Sequence, residues 1–406
     1  MQHVNELWAK SNRSNFTPSA TMVISMTCND GTYPIIGNQK LISFNYNKSG
    51  DTLSGILTQD TITFTIDNSD GRFTYNPEND RFTLAPILIT CGFFRPDYSI
   101  VDGISGGRYY VSDVDATNNK TTFIAKTILG FMKTQVGDLT GTAAEVVAAV
   151  IEAAELDDAV PSDDISYSLD SSLNSVDIEI RASDNYTQAE VLQLIANACG
   201  CVLYTDRIGT IVIKPLEQFT ENYVLSGKIS YEFPKVKVLE KTGRINMYYD
   251  HGSGYVSTNS TIRQSGATQT VTNPAIVDDF DAMDALWHMF QFNQVARKRI
   301  TGNFRADPRI DLFDVVAVPY LNKVAVCCIT KINFTFNGAW RGTYEAVEVP
   351  DAKIDLLIDD LEMLTIEQLG SIKIDDLHPN TISDIDGDFM AASDGSLAYW
   401  EEVENE

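Results

Sequence analysis

Between Phe304 and Val318 the chain reads FRADPRIDLFDVVAV, five charged side chains around one proline followed by an apolar, β-branched run. Arg305, Asp307, Arg309, Asp311 and Asp314 are residue types from which general acid–base sites are built, because one carboxyl can donate a proton while another accepts one. Paired acids also cleave glycosidic bonds, so Asp307, Asp311 and Asp314 are the candidate acids if the chain is a carbohydrate-active protein. The local sequence points elsewhere. Pro308 fixes its own φ and pushes Asp307 toward extended geometry, and Asp311 to Asp314 makes a second turn before Val315, Val316 and Val318 enter a sheet. Charges so placed are expected on a solvated corner, in surface ion pairs worth roughly a few tenths of a kcal/mol each. No catalytic residue is assigned.

Other chemistry is sparse. Six cysteines stand at 28, 91, 199, 201, 327 and 328, and neither C-x-C nor C-C has the C-x2-C spacing of structural zinc sites. They read as buried thiols. The four histidines, at 3, 251, 288 and 378, are far apart in sequence. DIDGD at 384–388 has the alternating aspartates of a calcium loop, but Phe389 stands where the glycine belongs and Gly395 where the closing glutamate belongs. No metal and no cofactor is expected.

The elements that must carry these residues are mostly strands. Ile42, Phe44 and Tyr46 alternate with polar residues, as do Ile62, Phe64 and Ile66, and DNSDG at 67–71 supplies a turn. Further strands are predicted at 87–94, 108–114 and 121–128, to be closed as a barrel or sandwich. At Thr142 the period changes to that of a helix. Thr142 with Glu145, and Thr187 with Glu190, are capping boxes opening helices that run to about Leu156 and to Gly200, while TDRIG joins strands around Val202 and Ile211. Strand patterning returns at 222–265. A helix follows over 279–298, starting after Asp278 and ending in ARKR, and Asn337-Gly338 marks a hairpin.

The predicted fold class is therefore mainly β with an α/β insert. It comprises a first β-barrel module at 1–135, a two-helix α/β module at 136–216, a second β-barrel module at 217–350 with the helix 279–298, and an acidic arm at 351–406. With 406 residues, 44% of them apolar, the chain can build real cores. Lys and Arg total 30 against 56 Asp and Glu, and a formal charge of −26 repels phosphate backbones and anionic headgroups. No specific nucleic-acid binding is expected. MQHVNELWAKSNRSNF lacks the features of a secretion signal, and no later run approaches the roughly 18 apolar residues of a membrane helix.

SGDTLSGILTQDTITFTIDNSDGRFTYNP (49–77), GGRYYVSDVDATNNKTTFIAKT (106–127), and NFRADPRIDLFDVVAV followed by INFTFNGAWRGTYEAV carry a resemblance. In combination, over about 20–350, they resemble the central hub proteins of bacteriophage tail baseplates and tail tips, which also occur in phage-derived contractile injection systems. The resemblance implies two related β-barrels per chain and a homotrimer. Six barrels would then meet a sixfold tail tube on one side, a threefold central spike on the other, and leave a channel for DNA. It implies a virion structural protein of the tail, assembled in the bacterial cytoplasm, without enzymatic activity. Many relatives place a glycine where this chain has Phe313, and many longer hubs append a peptidase or muramidase domain that is not read here. A carbohydrate-active or host-surface-binding β-protein of the virion is the alternative.

Beyond 350, Ile358/Leu361, Ile366/Leu369, Ile374/Leu377 and Ile382/Ile385 recur with a period of eight residues. Apolar pairs three apart share a face of one helical turn, and Thr365 and Thr381 can cap two of the turns. A single turn does not hold itself together in water. These eight residues are thus expected either to dock on a neighbouring chain or another baseplate or tail-tip protein, or to pack on their own domain.

Overall fold

The computed structural model describes residues 20–74, 81–94, 100–117, 119–154, 165–216, 224–225, 230–240, 242–258, 266–295, 298–321, 323–349, 389–391 and 397–399. The repeat arm, the DIDGD segment and the first nineteen residues lie outside them.

In chain order the first strands are β1 (Ala20–Met26), β2 (Ile35–Ile36), β3 (Leu41–Ser49), β4 (Gln59–Asp67), β5 (Pro86–Phe94), β6 (Ile100–Ala116) and β7 (Lys120–Lys126). The middle of the chain supplies β8 (Leu139–Thr142), α1 (Ala143–Glu152), β9 (Tyr167–Leu169), β10 (Asp177–Ile180), α2 (Gln188–Ala198), β11 (Cys201–Thr205) and β12 (Ile211–Pro215). Then come β13 (Lys235–Val238), β14 (Thr242–Tyr249), β15 (Gly254–Ser257), β16 (Ala267–Thr272), α3 (Asp279–Val295), β17 (Lys298–Phe304), β18 (Val315–Tyr320), β19 (Lys323–Phe336) and β20 (Trp340–Glu348). A short hairpin, β21 (Phe389–Ala391) with β22 (Leu397–Tyr399), stands apart in sequence.

Alternation in β4 buries Ile62, Phe64 and Ile66 completely, and the same rule buries Phe44 and Tyr46 in β3. Ile42 does not follow it. A register shift between Leu41 and Ser43 turns Ile42 outward, where it is exposed. Twelve antiparallel strands form one sheet in the order β13-β17-β20-β19-β3-β4-β7-β6-β5-β1-β2, with β18 also on β19. The two expected closed barrels are not what the described strands form. Instead β19 pairs with β3 from Lys331↔Ser49 to Phe336↔Phe44, so each half of the sheet completes its hydrogen bonds on the other and the path stays open. One apolar core runs along the inner face across that seam, where Tyr46 stacks on Phe334 with centroids 5.5 Å apart.

A second core gathers the helices. Val146, Val150, Leu192 and Ile195 of α1 and α2 pack with Ile245 and Met247 of β14 and with Leu286 and Met289 of α3. Both capping boxes are formed: Glu145 accepts from the Thr142 amide at 2.9 Å, and Glu190 from the Thr187 amide at 2.8 Å. The turn after α2 is made by Gly200 at φ +61°. α3 runs only to Val295, not through 298. Lys298 and Arg299 belong to β17 because each finds a carboxylate across the sheet, Glu348 at 2.7 Å and Glu345 at 3.3 Å. Asn337-Gly338 makes the hairpin between β19 and β20, with Gly338 at φ +93°. Five thiols are buried and Cys199 is half-buried.

Candidate functional site

The corner at 307–314 has the turns its sequence dictates. Asp307 accepts the Arg309 amide at 2.9 Å, and the Asp314 amide reaches the Asp311 carbonyl at 3.3 Å. Its exposure is the opposite of that expected. Asp307 is 0% exposed, Asp311 9%, Asp314 8% and Arg309 6%, so this is a buried charge cluster and not a solvated corner. Burying an ion costs several kcal/mol unless geometry and hydrogen bonds match it, and here they do. Arg309 grips Asp307 with Nε 3.0 and 2.9 Å from the two carboxylate oxygens. Asp311 receives Lys48 Nζ at 3.0 Å, Arg207 Nε at 3.1 Å, the Tyr46 hydroxyl at 3.0 Å and the Leu312 amide at 2.7 Å.

Lys48, Asp60 and Arg207 are the members that inspection of the corner alone misses. A signal for two of them was present: continuing the alternation of Phe44 and Tyr46 by one step reaches Lys48, and continuing Ile62 backward reaches Asp60. They face each other across β3 and β4, Nζ to Oδ2 at 3.0 Å. Arg207 comes from the TDRIG turn between β11 and β12, and it also donates to the carbonyls of Ser105 (3.0 Å), Pro308 and Ile310 (2.8 Å). Nothing local marks it as an anchor.

Electrostatics rank the carboxyls. Burial would raise Asp311, but Lys48 and Arg207 outweigh it and hold this carboxyl well below its usual range. Burial also dominates at Asp60 and, against the pull of Lys48 and with repulsion from Asp311, pushes it up to about 6. Burial lifts the Tyr46 hydroxyl as well, reinforced by Asp311. Such groups are consumed in holding one another. None of the three corner acids lines the cleft of about 460 Å³ that is bounded, among the described residues, by Tyr231, Asn303, Asn333 and Arg341. The arrangement serves as a lock between the sheet and the α/β unit.

Neighbouring contacts extend that lock. The loop between β3 and β4, part of the SGDTLSGIL stretch, lies along β11 and α2: Ser54 Oγ donates to the Cys201 carbonyl at 2.9 Å, and Asn197 donates to the Leu53 carbonyl at 2.7 Å. Phe313 stands at φ +65°, the conformation a glycine adopts without strain, and is fully buried with its ring against Tyr204, centroids 5.8 Å apart. Gly50 lies under that ring, where a Cβ would come within 2.6 Å of Phe313 Cζ.

The opposite face of the sheet is unlike the chain as a whole. Across five strands the register sets Asn303, Thr343, Asn333, Asn47 and Thr61 in one row, ending at Lys126 in β7, with Thr335, Asn45 and Thr63 in the next, where Arg341 stands opposite Thr335. Apart from Arg341 and Lys126 these are uncharged hydroxyls and amides, and no carboxylate stands among the residues named, on a chain of formal charge −26. The expected docking residues Ile358, Leu361, Ile366, Leu369, Ile374, Leu377, Ile382 and Ile385 lie outside the described residues.

No family model and no curated protein matches the sequence. Among solved structures, the tail protein from Neisseria meningitidis MC58 is similar at 10% identity and a TM-score of 0.51, covering 80% of this chain and 96% of that one. The 43 kDa tail protein of prophage MuSo2 from Shewanella oneidensis is similar at 12% identity and a TM-score of 0.51, covering 81% of this chain and 99% of that one. The chain has the fold of these two tail proteins.

Proposed function

We propose that the chain is a structural hub of a phage-type tail, working as a homotrimer without catalysis. In this reading each half of the large sheet is one of two like units. Three chains present six such units to the tail tube and a threefold end to the central spike. The observation that carries it is the fold likeness to two tail proteins, one of them from a prophage, over about four-fifths of the chain. The rows of hydroxyls and amides centred on Asn333 and Asn47 support a channel wall. Hydroxyls and amides dominate these rows, with the cations Arg341 and Lys126 at their margins, so passing DNA gains only a small counterion-release term there. Much of the chain's negative charge is elsewhere: residues 351–406 hold sixteen Asp and Glu against two Lys.

The carbohydrate-active alternative is weakened because Asp307 and Asp311 are tied up in ion pairs and Asp314 is buried. Light scattering of the purified chain tests the hub reading. A mass of three chains, with three-fold rings in electron micrographs, is expected; a monomer at micromolar concentration that also fails to join tube or spike proteins removes it.

A further inference from the structure

The sheet ends on one side at β13, and this border is chemically distinctive. Phe233 is 89% exposed, Val238 64%, Tyr231 59% and Val236 38%, and the strand's free side has no partner strand among the described residues. Lys235 and Lys237 are interspersed with the valines, and Lys235 has only a loose contact with Glu232 at 3.8 Å. A strip alternating Lys and Val beside exposed aromatics suits an occupant that alternates acids with branched apolar residues.

The same chain carries such a segment and releases it close by. β20 ends at Glu348, two strands in from the border: Val347 is opposite Arg299 in β17, and Lys298 is opposite Val238 in β13. Strands lie about 4.8 Å apart, so residue 349 leaves the sheet about 10 Å from β13. The first repeat, Ile358-Asp-Asp-Leu361, begins nine residues later. We propose that the segment 354–377 docks on the β13 border of its own chain. Its Ile/Leu pairs lie against Phe233, Val236 and Val238, and its carboxylates face Lys235 and Lys237. This stands apart from the hub reading, since it concerns one chain alone.

Zero-length carbodiimide cross-linking of the full chain, read by mass spectrometry from the single-chain band of a denaturing gel, tests it. Lys235 or Lys237 joined to an acid between Asp355 and Asp376 is expected, with the Lys298–Glu348 pair, 2.7 Å apart, as the internal control. The control cross-link without the arm cross-links, or arm cross-links found only in bands of two or more chains, overturns the proposal; the latter would assign the border to the arm of another copy. Amide exchange over 233–238 gives a second readout. It should quicken at least tenfold on deleting 351–406 and comparably in K235E/K237E, and unchanged rates in both overturn the proposal.

Discussion

Removing the Arg207 guanidinium would leave Asp311 with Lys48 as its remaining cation and strip donors from the carbonyls of Ser105, Pro308 and Ile310. Breaking a buried pair from one side leaves an uncompensated charge, so Arg207→Ala should lower stability by about 3–5 kcal/mol in urea unfolding. A loss under about 1 kcal/mol would mean that water already reaches Asp311. Asp60 behaves differently. Its carboxyl sits at about 6 in the folded chain against an ordinary 3.8, so between those values the folded state binds the extra proton. A raised carboxyl contributes stability that is full below the unfolded value and is lost as pH rises through the folded one, at up to about 1.4 kcal/mol per pH unit. Asp311, held low, stays ionised in the folded chain throughout that window, and its own contribution has the opposite sign, being lost only as pH falls below about 5. Asp60→Asn should therefore flatten the dependence of the urea midpoint on pH between about 4 and 6, and an unchanged slope would assign it to other groups. At Phe313, a left-handed backbone costing roughly 1–2 kcal/mol is offset by burying an aromatic ring, worth about 1.5–3 kcal/mol.

At the scale of elements, the two capping boxes are local devices. Thr187→Ala removes a hydroxyl that accepts the Glu190 amide, and should cost about 1 kcal/mol, seen as a lower thermal midpoint with unchanged helix content at 20 °C. Such features are legible in sequence because both partners lie within three residues. The same holds for the Asn337-Gly338 hairpin, the Gly200 stop and the turns around Pro308. What sequence could not give was burial. Asp311 meets Lys48 across 263 positions and Arg207 across 104, and no local pattern reports such meetings. Ile42 fails for a related reason, since a bulge shifts the face of a strand without announcing itself in the residue types. α3 ends early because cross-strand carboxylates claim Lys298 and Arg299, which its own last turn was expected to use.

For the whole molecule, motifs spread over about three hundred residues were legible as a tail-protein resemblance, and the fold agrees. The reason is physical. The loop at 50–58 and the corner at 307–314 both touch the α/β unit, so two of the stretches that carry the resemblance help seat the insert on the sheet. The expected closure into separate barrels failed because pairing between β19 and β3 competes with it. Among the described residues the path of the sheet ends at β13 on one side and at the two-residue β2 on the other, with Ile35 65% exposed, while β18 branches off β19. Newly made copies thus meet in a crowded cell with strips ready to stack on one another. The lysines of one side and the brevity of the other act as gatekeepers against such premature sticking, slowing accidental fibres while leaving room for intended company.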